Sequence, residues 1–239
     1  MQTLLKKPLS HYKMIYFDVG DTLLTIPAAQ VIMHQFLLAR SLERDPEQLE
    51  RQFISSFRLF YYDRPAERVE QVTPETDRAF WVNVYDHILR SLDLHRELND
   101  DDVHRCCHEL YDIFTASSSY ALFDDVKECM EELHRRGMRL GIVSNFAPTL
   151  KSILEDKGIL HLFDPVIVST EVGLEKPDPA IFRLALEQCG LPAGDVLYVG
   201  DHDRNDIWAP AQVGIDAVKI LRYDFHSGEG IRTLRELIQ

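Results

Sequence analysis

The sequence predicts an α/β protein: a parallel β-sheet covered by helices on both faces, with an all-helical domain inserted after the first strand. Three observations predict it. Five short apolar runs read as strands, amphipathic stretches with helix start and stop signals separate the later ones, and residues 26–115 carry helical patterns without a convincing strand. Strands that are apolar almost throughout, rather than alternating, belong to sheets buried on both faces.

In chain order, Met14–Phe17 is the first strand and stops at Asp18. The stretches "AAQVIMHQFLLARSL" and "ETDRAFWVNVYDHILRSL" follow as helices of the insertion, with Pro65 and Pro74 flanking a bend between them. "DDVKECMEELHRRG" opens with Asp124 and Asp125, places Val126, Met130 and Leu133 on one face, and stops at Gly137. Leu140–Val143 is the second strand. "APTLKSILEDKG" has Pro148 near its first turn and Gly158 at its end, and Val166–Val168 is the third strand. "DPAIFRLALEQCG" has Asp178 as N-cap, Pro179 at the first helical position and Gly190 beyond the last turn. Val196–Val199 and Ala217–Leu221 complete the sheet, and "HSGEGIRTLRELIQ" reads as a loop and a terminal helix. Residues 1–25 and 116–239 therefore form a discontinuous core, and residues 26–115 the inserted helical domain.

At 239 residues, with 45% hydrophobic and 27% charged side chains, the chain is an ordinary globular length and composition. Its net charge of −13 argues against nucleic-acid and anionic-membrane partners, both of which need basic surface. A small anionic substrate needs only a local positive site. No apolar run approaches the roughly 20 residues of a membrane span, and no signal-peptide core precedes the first strand. Cys106, Cys107, Cys129 and Cys189 form no CxxC pair, so they read as buried thiols of a cytoplasmic protein. Nothing in the sequence specifies an oligomeric state.

The polar residues at the strand ends carry the chemistry. Asp18 follows the first strand, Ser144 and Asn145 the second, and Asp201 follows "VLYVG", while Lys176 in "LEKPDP" leads into a helix. In an open parallel sheet, ligands bind outside the carboxyl ends of the strands. Two acids, a hydroxyl and an ammonium converging there suit a phosphate held with Mg2+: carboxylates take the hard cation, and the hydroxyl and ammonium take the remaining oxygens. An aspartate so placed can also attack phosphorus.

With those residues in order, "FDVGDTLL", "GIVSN", "EKPDP" and "VGDHDRNDIWAPAQVG" resemble the four motifs of the haloacid dehalogenase superfamily. The resemblance implies a Rossmann-like core with a helical cap inserted after the first motif, and a small phosphorylated substrate. It implies Asp18 as nucleophile and metal ligand, Thr22 as support of the nucleophile loop and phosphate ligand, and Ser144 and Asn145 on the phosphate. Lys176 would neutralise and orient Asp18. Asp201 would ligate Mg2+ with Asp206 assisting, and the Gly20 backbone carbonyl would complete the set.

Gly20 departs from that pattern. Phosphatases of the superfamily usually carry there a second aspartate that protonates the leaving group, a contribution of about 10²–10⁴-fold. Asp21, one residue on, points to the opposite side of an extended chain, and only a helical loop would swing it inward. Hydrolysis is then slow or confined to good leaving groups such as acyl or aryl phosphates. The alternative is a catalytically impaired relative that binds phosphorylated ligands or partners. Carbon–halide hydrolysis is disfavoured because Gly200-Asp201 is intact, and phosphonate cleavage because no lysine lies between Lys13 and Lys127 to form a Schiff base.

Other signals are weaker. His104 and His108 lie four apart on a helical face, a spacing that zinc can use only with further ligands. His202 sits beside Asp201 and reads as substrate contact or loop filler. Arg40, Arg44, Arg58 and Arg64 of the insertion read as solvated charges that could instead clamp an anion.

Overall fold

The structure, a computed structural model, describes residues 5–62 and 71–239. The chain packs as two units, one of Met1–Thr25, Gln71–Thr73 and Tyr120–Gln239, the other of Ile26–Glu70 and Pro74–Ser119.

The first unit contains β1 (Met14–Phe17), β2 (Leu24–Thr25), β3 (Ala121–Leu122), β4 (Arg139–Ser144), β5 (Val166–Val168), β6 (Val196–Gly200) and β7 (Asp216–Lys219). Five of these form one sheet in the order β5-β4-β1-β6-β7, and every pairing in it is parallel. β1 lies at the centre, with Met14 opposite both Arg139 and Val196. The order runs outward on one side of β1 and then restarts on the other, so β1 borders the topological switch point where such sheets bind ligands. β2 and β3 pair antiparallel, holding Thr25 opposite Ala121 and so joining the chain on either side of the second unit.

Alternation along β1 builds the two cores. Ile15 and Phe17 pack with Leu140, Ile142, Leu197 and Val199, under Met130 and Leu133 of one helix and Ile153 and Leu154 of another. Met14 and Tyr16 face the other way, onto Val143, Tyr198, Ile181, Phe182 and Ala185. Each such side chain gains about 1.5–3 kcal/mol from full burial. β1 is thus apolar on both faces because both faces are covered.

The helices are α1 (Ala29–Leu38), α2 (Pro46–Phe57), α3 (Pro74–Ser91) and α4 (Asp100–Phe114) in the second unit. α5 (Val126–Arg135), α6 (Leu150–Asp156), α7 (Ser169–Val172), α8 (Ala180–Cys189), α9 (Ala209–Ala211) and α10 (Arg235–Ile238) belong to the first. α5, α6 and α8 are followed by Gly137, Gly158 and Gly190, all at positive φ, the conformation that lets glycine end a helix. In the second unit, Asp45 and Asn99 cap α2 and α4, accepting from Gln48 N at 3.1 Å and Asp102 N at 2.8 Å. Phe53, Tyr85 and Phe114 from α2, α3 and α4 meet in its core, with Tyr85 and Phe114 stacked at 5.5 Å. All four cysteines are free and buried. No helix among the described residues is long and apolar enough to cross a membrane.

Two local expectations are corrected. The last strand runs Asp216–Lys219 rather than Ala217–Leu221, because its partner β6 ends at Gly200, opposite Lys219, and Ile220 bridges Ile231. α8 begins at Ala180 with Pro179 as its N-cap, although Asp178 still accepts from Ala180 N at 2.8 Å. α5 begins at Val126, directly after Asp125, where its start signal places it, although the Asp125 side chain makes no cap bond. Pro65 and Arg64 lie outside the described residues.

Asp125 instead anchors a buried network. Its Oδ2 accepts from Arg222 Nη1 (2.8 Å), Thr233 Oγ1 (2.7 Å) and Leu234 N (2.7 Å). Arg222 in turn donates Nε and Nη2 to the Thr22 carbonyl, at 3.0 and 2.7 Å. Burial alone would raise the Asp125 pKa, but Arg222 and Thr233 outweigh it and hold the carboxyl below its usual range. Breaking one partner of a buried pair leaves an uncompensated charge. Asp125→Ala is therefore expected to lose about 3–5 kcal/mol in urea unfolding; a loss under about 1 kcal/mol, the size of an exposed pair, would contradict this network.

Candidate active site

The site is built at the carboxyl edge of β1, β4 and β6. Asp18 directly follows β1, and its backbone N–H donates to Val199 O at 2.9 Å, which continues the ladder to the last possible residue. The chain then folds tightly: the Val19 carbonyl accepts from Thr22, Leu23 and Leu24 N at 3.2, 2.9 and 2.9 Å. Asp21 N donates to Leu24 O at 2.8 Å, with Asp21 in the left-handed region at φ 51°. None of these bonds uses the Gly20 carbonyl.

Lys176 joins the acids. Its Nζ donates to Asp18 Oδ1 (2.7 Å), Asp206 Oδ1 (2.7 Å) and the Tyr198 hydroxyl (3.0 Å). Ser144, the last residue of β4, donates its hydroxyl to the same Asp18 Oδ1 at 2.9 Å. The Asp18 carboxylate is thus oriented by two side-chain donors on one oxygen. Asn145 acts on the lysine loop: its Nδ2 donates to Lys176 O (2.7 Å), and Lys176 N donates to its Oδ1 (2.8 Å). Thr22 is fully buried, and its Oγ1 has no hydrogen-bond partner among the described residues.

One carboxylate oxygen each from Asp18, Asp201 and Asp206 falls within 4.8 Å of the others, and all three residues are buried. Gly200 makes this possible. A β-carbon there would lie 2.5–2.6 Å from the Asp206 side chain, so only glycine lets that carboxylate cross over the strand end. Asp206 is aimed by its own turn: its N–H donates to His202 O (2.8 Å), and its Oδ2 accepts from His202 N (2.9 Å). His202 therefore has a structural task, its Nδ1 accepting from Arg204 and Asn205 N, both at 3.2 Å, to start the helical turn Asp203–Trp208.

The electrostatics fit a divalent cation. Three carboxylates against one ammonium leave a net −2 if all are ionised (−3 + 1). Burial pushes Asp18 up to about 6, with Lys176 pulling the other way and Asp206 adding to the push. Asp201 stands well above the ordinary carboxylate range because of burial, then the Asp206 and Asp18 charges. Burial works against the Lys176 ammonium, yet Asp18 and Asp206 keep its pKa above the usual value. These are the signs of an acid cluster short of positive charge, which hard oxygen-seeking cations supply.

Several side chains near the site escape the sequence reading. Tyr198 donates to Val143 O at 2.7 Å while receiving Lys176. A tyrosine in an otherwise apolar buried strand needs a partner for its hydroxyl, and that signal was available. Tyr223 and His226 come from the segment after β7: the Tyr223 hydroxyl donates to Asp21 Oδ1 at 3.0 Å, and His226 Nε2 lies 3.7 Å from Asp201 Oδ2. Asp21 is thus held by Tyr223, while its charge adds to the negative field at Asp201.

The other candidates belong to the second unit. His104 and His108 bond to each other, Nε2 to Nε2 at 3.1 Å, and among the described residues no third ligand joins them within a metal's reach. Arg40 pairs with Glu109, and Arg44 with Glu97 and the Leu92 carbonyl. Arg58 starts the helical turn Arg58–Tyr62.

Residues 12–214 match the family model for haloacid dehalogenase-like hydrolases. The chain belongs to this family. Among HAD-like hydrolases, it is 29% identical over 220 residues to the haloacid dehalogenase-like hydrolase domain-containing protein 3 of Danio rerio, covering 88% of this chain and 85% of that one. It is 34% identical over 129 residues to the phosphoglycolate phosphatase of Yersinia pseudotuberculosis, covering 52% and 55%. The HAD-hydrolase YfnB of Bacillus subtilis, a structure bound to magnesium, superposes with a TM-score of 0.72 at 19% identity over 95% of this chain and 96% of that one, a likeness of fold.

The raised carboxyls make the folded, cation-free protein bind more protons than the unfolded chain. Their contribution to stability is therefore present at low pH and is lost as pH rises from about 4 through about 6 and above. A cation can take the place of those protons. The rise in Tm on adding magnesium should be small near pH 5 and grow towards about pH 7; an increment independent of pH in thermal unfolding would contradict the cluster's charge state.

Proposed function

We propose that this chain is a Mg2+-dependent phosphatase that hydrolyses a small phosphorylated metabolite through a phosphoaspartate on Asp18. The single observation that carries the reading is Asp18 Oδ1 held by both Lys176 and Ser144 at a strand end, with Asp201 and Asp206 at cation distance. The phosphoglycolate phosphatase likeness supports the choice of a phosphate ester. The intact Gly200-Asp201 pair supports it over carbon–halide hydrolysis.

In this reading Asp18, Asp201, Asp206 and the Gly20 carbonyl would hold the cation, which when bound would supply positive charge to the phosphate oxygens and so ease attack by an anion. The Asp18 carboxylate attacks phosphorus in line, the ester P–O bond breaks, and the leaving oxygen departs with the electron pair. Ser144 and Lys176 aim the attacking carboxylate through its Oδ1, and the Lys176 ammonium supplies charge to the transferred group, with Asn145 and Thr22 holding the loops that frame it. Water then cleaves the acyl phosphate, which frees Asp18 and inorganic phosphate. No side chain at position 20 protonates the leaving oxygen, and Asp21 is tied to Tyr223. The reaction therefore favours acyl and aryl phosphates, whose leaving groups need little protonation.

Purified protein with magnesium and an aryl phosphate should release phosphate, and Asp18→Asn should abolish release. Equal background rates would replace hydrolysis with a role in binding phosphorylated ligands. Gly20→Asp tests the account of the missing acid. A β-carbon at Gly20 meets nothing within 4 Å, so the acid can be added without displacing a neighbour. Turnover of an alkyl phosphate should rise by about 10²-fold or more, while an aryl phosphate should gain much less; an unchanged alkyl rate in a steady-state assay would overturn the explanation.

A further inference from the structure

The segment after β7 approaches the acid cluster from the side and brings one polar atom that nothing in the proposed chemistry uses. Ile220 N donates to Gly200 O at 2.9 Å, and Leu221 N to Ile231 O at 2.8 Å, so the chain leaves and returns at one place. Between these points His226 N donates to Tyr223 O at 3.0 Å, which closes a turn. Tyr223 and Phe225 pack edge-on against the His226 ring, at 5.3 and 4.7 Å between centroids.

The state of that ring follows from one hydrogen bond. The Arg222 backbone N–H donates to His226 Nδ1 at 3.2 Å. A nitrogen that accepts carries no proton, so the ring is the neutral tautomer with its hydrogen on Nε2, an assignment made from the bond. Nε2 is buried without a hydrogen-bond partner among the described residues, and the side chain is only 4% exposed. A buried donor left unused carries its full desolvation penalty. The acceptor it faces is Asp201 Oδ2, at 3.7 Å.

We propose that His226 is a positioning residue for the cation site: its Nε2–H aims the Asp201 carboxylate at a divalent ion shared with Asp18 and Asp206. This inference rests on the cation reading of the cluster. Closing 3.7 Å to about 3 Å is within reach of a carboxylate rotation. A neutral donor suits the place, because a second cationic side chain beside Lys176 would compete with the divalent ion for the same charge. The Arg222 N–H keeps the proton on the nitrogen that faces Asp201. A donor on a ligating carboxylate fixes which lone pairs point at the metal.

The test is magnesium binding by isothermal titration calorimetry, which needs no turnover, on the full chain and on His226→Gln, His226→Phe and His226→Ala. Glutamine keeps an N–H close to the Nε2 position, phenylalanine keeps only the bulk, and alanine keeps neither. Affinity should fall about 10–100-fold in the Phe and Ala variants and stay within about 3-fold in the Gln variant. Wild-type affinity in the Phe variant would overturn the proposal, and so would equal losses in Gln and Phe, which would report packing rather than the donor. Asp201→Asn separates the two readings. If the wild type takes up no magnesium, the cation reading falls and this inference with it. If wild type binds, Asp201→Asn does not, and the His226 variants match wild type, only the role of His226 falls.

Discussion

The buried ammonium of Lys176 is the constraint on which the site depends. An ammonium has three N–H donors, and here each has an acceptor: Asp18, Asp206 and Tyr198. A head group saturated in this way cannot move without abandoning a buried charge, so it fixes the separation of two acids that come from different strands. Taking a carboxylate out of water costs several kcal/mol, and this arrangement offsets the cost for two of them. The lysine is itself fixed from behind, because its backbone exchanges two hydrogen bonds with Asn145.

The sheet supplies what the lysine then fastens. β1 is central and parallel to both neighbours, so the residue that follows it, the last of β4 and the turn beyond β6 all open on one edge. Asp18 and Lys176 are 158 residues apart in the chain, and Asp18 and Ser144 are 126 apart. No local interaction could bring them together; parallel pairing around one strand does so. The polar end of each strand is tolerated because the apolar part ahead of it is covered on both faces.

Much of this was legible in the sequence because it is written in short-range patterns. Met14–Phe17 reads as a strand from four consecutive apolar residues, and Gly137, Gly158 and Gly190 mark helix ends through their backbone freedom. Asp18, Ser144 and Asp201 are recognisable as polar residues where strands stop, and Lys176 by its place in "LEKPDP" ahead of a helix. What escaped depends on tertiary bonds. Arg222 reaches the Thr22 carbonyl across 200 residues, and the segment bearing Tyr223 and His226 looks like an ordinary polar loop until that bond places it. Asp125 marks the start of α5 as its sequence signal implies, while its side chain is held by an arginine 97 residues away, which no local pattern encodes. The conformation of Asp21 turned on a single left-handed φ, which no alternation pattern encodes.

The two glycines of the site stand in opposite positions. At Gly200 the space beside the α-carbon is filled by Asp206, while at Gly20 it is empty. Evolutionary drift at the first is closed, since any larger residue evicts a carboxylate. At the second a side chain can be added without displacing a neighbour or rebuilding the scaffold. The backbone at position 20 therefore leaves the choice of side chain separate from the ability to fold.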